Sequence, residues 1–142
     1  MESATTGGGT STSPAHRRLA WGFLAAAGIA NAAGYLFGLY ARFAWVDEAL
    51  HACTIFALTL VLALYLYGTV LTGARRHELL LVLTVACVGL ALGALWEVGE
   101  WGFDQLVSGD VIKGKRDTIV DLAMDAGGAL AAGWVAAGMV RR

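Results

Sequence analysis

The sequence predicts an all-α, membrane-embedded bundle of four helices running up, down, up and down, and three observations carry that prediction. Hydrophobic residues make up 58% of the 142 residues and charged residues only 15%, with a mean hydropathy of +0.65, outside the usual range of a soluble domain of this size. Four apolar runs each reach the roughly 20 residues that a helix needs to cross a hydrocarbon core. Eight of the eleven carboxylates fall in three short stretches, residues 47–48, 97–104 and 117–125, each abutting or entering one of those runs.

In chain order, residues 1–18 form a polar tail, expected to be flexible, that lacks the basic start and short hydrophobic stretch of a secretory signal. His16, Arg17 and Arg18 then lead into a first span, residues 19–40, expected to act as an uncleaved anchor. The second span covers residues 48–72, the third 79–103 and the fourth 118–140, so that residues 19–142 make one domain. Gly28, Gly34 and Gly38 in the first span, Gly89 and Gly93 in the third, and Gly127, Gly128 and Gly133 in the fourth supply small surfaces on which membrane helices approach closely. Asn31, Tyr35 and Gly38 share a stripe expected to face inward. Cys53 and Cys87 fall inside spans, are far apart in sequence, and are read as buried packing residues.

Arg17, Arg18, Arg75, Arg76, Arg141 and Arg142 flank one side of this bundle, and Arg42, Lys113, Lys115 and Arg116 the other. The excess of positive charge at the first side puts both termini in the cytoplasm. Whichever way the chain inserts, counting spans brings Asp47, Glu97, Glu100, Asp104, Asp117, Asp121 and Asp125 to one leaflet, which the charge bias makes the outer one. Net charge is near zero and the basic residues sit at helix ends, so no nucleic-acid role is indicated.

Ionisable groups inside a bilayer cost a few kcal/mol or more unless partnered, so these acids ask for a role. Glu97, Glu100, Trp101 and Asp104 lie within roughly a 100° arc of one helix. Glu97 and Glu100 fall inside the end of their span, whereas Asp104 reaches the headgroup zone and is explained by solvation as readily as by a site. Trp96 and Trp101 fit an interfacial aromatic belt. Asp117, Asp121 and Asp125 recur every four residues; Asp117 suits a helix N-cap, but the other two are too deep for that. Like charges at this spacing repel, so at least one must be protonated, paired or bound to a cation. Asp47, with His51 and Thr54, lines a stripe of the second span; Asp47 also suits an N-cap, with Glu48 a first-turn acid.

Carboxylates with one imidazole and no paired thiols suit Mg²⁺, Mn²⁺ or Zn²⁺ better than copper(I) or an iron–sulfur cluster. The candidate metal ligands are Asp47, His51, Glu97, Glu100 and Asp121. Asp117 and Asp125 complete or orient the site, and Arg116 is placed to contact an anionic group. Lys113, Lys115 and Arg116 at the rim are equally suited to neutralising the acids or attracting a phosphate headgroup.

These residues resemble the YjdF-like family of small bacterial integral membrane proteins, and more distantly the VanZ-like proteins linked to glycopeptide resistance. The resemblance covers residues 45–133. It rests on Val46-Asp47 with His51, on Glu97-x2-Glu100-Trp101, and on Asp117-Thr118-x2-Asp121-x3-Asp125 followed by Gly127-Gly128-Ala129. Glu100 and Asp125 carry acids where the VanZ-like pattern has amides, which argues against a resistance role. The resemblance implies a multi-pass protein of the bacterial inner membrane and leaves its activity undefined.

Three functions follow as expectations. The first is an exterior-facing site that binds a divalent cation and acts on or recognises a lipid-linked phosphate or cell-envelope precursor, with membrane lipid as partner. The second is a component of proton or cation transport, which with four spans per chain requires an oligomer. The third is a structural protein whose acids tie its helices together.

Overall fold

The computed structural model describes residues 12–70, 78–107 and 111–140; the expected tail as far as residue 11, together with Arg75, Arg76, Arg141 and Arg142, lies outside them. The described residues are all-helical: α1 (Pro14–Leu36), α2 (Leu39–Arg42), α3 (Ala44–Val70), α4 (Glu78–Leu106) and α5 (Lys115–Val140). All but α2 are long and apolar enough to cross a membrane.

The first span is shifted relative to the hydropathy reading. It starts at Pro14, because Ser13 accepts from the Ala15 amide through its hydroxyl (3.2 Å) and proline at the first position needs no amide partner. Thr12, expected to belong to the tail, is buried and donates its hydroxyl to the Leu64 carbonyl (3.1 Å). The span ends at Leu36 rather than near Tyr40. Gly38 takes the left-handed conformation (φ 64°), which reverses the chain into the single turn of α2. Of the stripe expected to face inward, only Asn31 does so: Tyr35 is 71% exposed and Gly38 belongs to the turn.

Pairs of residues fix how the spans run. Asp47 meets Lys113, Ala52 meets Gly128, and Thr59 lies near Ala129 across Gly89, so α3 and α5 are parallel neighbours. Gly93 faces Asp125 and Gly133 faces Val82, so α4 runs antiparallel to α5. α1 lies outside this trio, antiparallel to α3. It is held there by Thr12, by the Trp21 indole donating to the Tyr65 hydroxyl (3.1 Å), by the edge-to-face contact of Phe23 with Phe56, and by Asn31 donating to Thr54 (2.8 Å).

The core divides by chemistry along the bundle. Toward the chain termini it is apolar, with Leu60, Leu64, Val82, Val85, Ala132 and Ala136 all buried. At the other end its buried residues include His51, Glu97, Asp121 and Asp125. Cys53 and Cys87 lie within spans as expected, but both are exposed on outward faces, so they pack none of this core.

The glycines act unequally. A methyl group on Gly128 would collide with the Ala52 backbone carbonyl, and one on Gly89 with Thr59 and Ala129, whereas Gly28 and Gly127 face open space. Close helix approach therefore depends on Gly89, Gly93, Gly128 and Gly133, and not on every glycine in the spans. Gly128→Ala is expected to lower stability by about 1–3 kcal/mol, the usual cost of overpacking a tight contact. The adjacent Gly127→Ala leaves the thermal midpoint of detergent-solubilised protein unchanged or raises it. Equal effects of the two substitutions would refute this packing.

Candidate functional site

Three helix ends converge on the site: the first turns of α3 and α5 and the last turns of α4. Asp47 and Asp117 occupy first turns, where the partial positive charge of a helix N-terminus favours an acid by about 0.3–1 kcal/mol. His51, one turn deeper on α3, and Asp121 and Asp125, one and two turns deeper on α5, lie beyond most of that benefit. They are 5%, 4% and 0% exposed.

His51 is the hub. Its Nδ1 lies 3.2 Å from Asp125 Oδ1 and 3.9 Å from Glu97 Oε1, while Nε2 lies 3.9 Å from Glu100 Oε1 and 4.0 Å from Asp47 Oδ1. The ring is thus hydrogen-bonded to Asp125 and surrounded by three more carboxylates. Gly93 makes this possible, because a side chain there would overlap the Asp125 carboxylate.

Two buried oxygens in the group, Glu97 Oε1 and Asp125 Oδ2, have no hydrogen-bond partner among the described residues. A carboxylate oxygen removed from water without a partner costs several kcal/mol. Ligand atoms of His51, Glu97 and Asp125 lie within 4.8 Å of one another, and so, separately, do those of Asp47, Asp117 and Asp121. Donors about 2 Å from one ion lie at most roughly 4 Å apart, so the inner group needs a contraction of at most about 1 Å to hold one. One imidazole nitrogen with carboxylate oxygens suits Zn²⁺ or Mn²⁺.

The expected site residues separate accordingly. Asp125, read from sequence as completing the site, sits in the inner group with His51 and Glu97, whereas Asp121 joins Asp47 and Asp117. Glu100 stands between the groups, facing His51 and accepting from the Trp96 indole (2.9 Å). Arg116 is exposed and takes part in no ion pair among the described residues. The basic group on the acids is Lys113 instead, whose ammonium meets Asp47 Oδ2 at 2.7 Å. Burial opposes its charge, but the hydrogen bond to Asp47 and the nearby Asp47, Asp117 and Asp121 outweigh that and hold its pKa above the ordinary value. The ammonium therefore stays charged through neutral pH and gives up its proton as pH rises through that elevated value.

Asp104 and Asp117 serve the backbone. Asp104 accepts from the Val111 and Ile112 amides (2.9 and 3.0 Å), so it shapes the α4–α5 connection rather than being merely solvated. Asp117 accepts from the Lys113 amide (2.9 Å), just ahead of its helix, in place of the N-cap role expected for it.

Three contributors are not apparent from composition or charge. Tyr40 donates to Asn31 Oδ1 (2.9 Å), and Asn31 donates to Thr54, one turn beyond His51. Burial first, then Asp47 and Glu100, push the Tyr40 pKa up to about 12, so its hydroxyl remains a donor. Gly93 is the third; its place four residues before Glu97, on one helix face, is the available sequence signal.

No curated protein and no solved structure matches this sequence. A family model described as "Predicted membrane protein (DUF2238)" matches residues 12–142. That family is the YjdF-like one, and the comparisons lend nothing to the VanZ-like likeness. With every described residue inside the match, this multi-pass membrane protein belongs to the DUF2238 family of predicted membrane proteins.

Proposed function

We propose that the protein binds a divalent cation between His51, Glu97 and Asp125, and uses it to recognise a lipid-linked phosphate at the outer face of the bacterial inner membrane. The observation that carries this reading is the pair of unpartnered oxygens on Glu97 and Asp125, each on a buried side chain facing one imidazole nitrogen. A cation there satisfies both oxygens and offsets the negative charge around His51.

The outward orientation rests on the six arginines at the terminal side against four basic residues at the site side. Protein ligands from three side chains leave coordination positions for a phosphoryl oxygen, and a bound cation supplies Lewis acidity toward it. The exposed Lys115 and Arg116 at the same rim add attraction for an anionic headgroup. Transport is the weaker reading, because below Thr59 the core is closed by Leu60, Leu64, Val82 and Val85. A purely structural role suits Asp104 and Asp117, which hold backbone amides, but leaves the Glu97 and Asp125 oxygens without an occupation.

Elemental mass spectrometry of detergent-purified protein, after incubation with Zn²⁺, Mn²⁺ or Mg²⁺ and removal of excess, should find about one tightly held ion per chain. Glu97→Gln and Asp125→Asn are expected to weaken binding by more than the roughly 10–100-fold typical of residues that merely orient a ligand. Gly93→Ala should do the same without touching a ligand, by displacing Asp125. Metal-free protein under all three conditions would overturn the proposal.

The lipid component is tested separately in nanodiscs. Native mass spectrometry should show phosphatidic acid, a phosphomonoester lipid, retained over phosphatidylcholine only when metal is present. Metal-independent retention would detach the lipid from the site.

A further inference from the structure

The acids at the wet end form two groups of ligand atoms, and the outer one is unlike the inner. Asp47, Asp117 and Asp121 bring three carboxylates, and no nitrogen, within 4.8 Å of one another. Asp121 is the informative member. It is 4% exposed, makes no hydrogen bond or ion pair among the described residues, and directs its carboxylate toward the other two. Asp47 and Asp117 have hydrogen-bonded or ion-paired partners and Asp121 has none among the described residues, so its burial favours a positive charge in the same place.

Besides His51, the basic side chain that reaches this group among the described residues is an ammonium held by construction. Asp104 fixes the Val111 and Ile112 amides and Asp117 fixes the Lys113 amide, so the connection ahead of α5 is tied at three successive residues. Its last tie delivers the Lys113 side chain to Asp47 at 2.7 Å. A single ammonium on one edge of three carboxylates leaves charge uncompensated, and the half-exposed lysine is free to swing into solvent.

We infer that Asp47, Asp117 and Asp121 form a second, outer cation site, and that Lys113 is its displaceable internal competitor. An all-oxygen set selects a harder ion, Mg²⁺, Ca²⁺ or Mn²⁺, than the set that includes His51. His51 connects the two sites. With Nδ1 turned to the inner ion, its Nε2–H faces Asp47 and Glu100, so a carboxylate of the outer rim orients the imidazole that serves the inner one. This deepens the cation reading of the preceding subsection and needs a test that separates the two.

The test is Mn²⁺ titration of full-length protein in detergent, read by calorimetry and by electron paramagnetic resonance of free and bound Mn²⁺. Wild type should take up one ion tightly and a second at least about tenfold more weakly, the latter in competition with Lys113. Lys113→Gln should tighten the second event about tenfold or more and leave the first unchanged. Asp121→Asn should abolish the second and keep the first; because Asp121 is buried, the half-buried Asp117→Asn serves as a gentler variant that weakens the second event alone. One ion per chain in wild type and Lys113→Gln alike would overturn the outer site while leaving the inner one standing. No bound ion in any variant would overturn both.

Discussion

The structure depends on one arrangement: a fully buried carboxylate, Asp125, two turns inside a membrane-spanning helix and within hydrogen-bond reach of His51. Such a group is stable only if its neighbours make room for it and answer its charge. Gly93 makes the room on α4, and Gly128, one turn further along α5, lets α3 come close enough to present His51. The close contacts of α5 with both other core helices therefore follow from the same few small residues. Removing side-chain volume at these positions is what allows polar atoms to meet at the centre.

Around that pair the acids are graded by depth. Near the rim, Asp104 and Asp117 accept backbone amides and Asp47 accepts an ammonium, so each oxygen engaged there has an identified donor. Deeper in, among the described residues, Asp121 has no such donor, and Glu97 and Asp125 each keep one oxygen unpartnered. Among the described residues, six carboxylates, of Asp47, Glu97, Glu100, Asp117, Asp121 and Asp125, face His51 and Lys113 as the groups able to carry positive charge. Six acids against two basic groups leave this end of the bundle short of positive charge. The imbalance, rather than any single residue, is what the proposed cation would answer.

Much of this was legible in the sequence, for physical reasons that also set its limits. Hydropathy and span counting place Asp47, Glu97 and Asp121 at one end, since connectivity alone decides it. Helical periodicity aligns Asp117, Asp121 and Asp125, but a stripe that drifts by about 40° per step does not say which member faces which neighbour. Hence Asp125, and not Asp121, meets His51. Hydropathy also fails at helix ends, where capping decides: Ser13-Pro14 starts α1 ahead of its apolar run, and Gly38 stops it short of Tyr40. Lys113 over Arg116 is likewise a matter of loop geometry, set by amides that no charge count weighs. Cys53 and Cys87 turned outward because lipid, like a core, accepts a small apolar side chain, so composition does not distinguish the two faces.

The placement of polar atoms bears on what the bundle can do. Tyr40, Asn31 and Thr54 form a hydrogen-bonded run that braces α1 against α3 beside His51, and it goes no deeper. Beyond it the buried Thr59 hydroxyl has no hydrogen-bond partner among the described residues, and the core there is aliphatic. A conducting path needs polar groups continuing across the bilayer, whereas a site closed at its base needs only an opening at one face. The candidate ligands that converge there come from α3, α4 and α5, so an ion held by them would link three helices that elsewhere meet through the apolar core and through glycine contacts. Because the converged geometry exists only in the folded bundle, binding free energy adds directly to folding, by about 2.7 kcal/mol at a hundredfold excess over the dissociation constant. In a bundle that buries several acidic groups at one end, a cation of the kind proposed would also offset the cost of building that end.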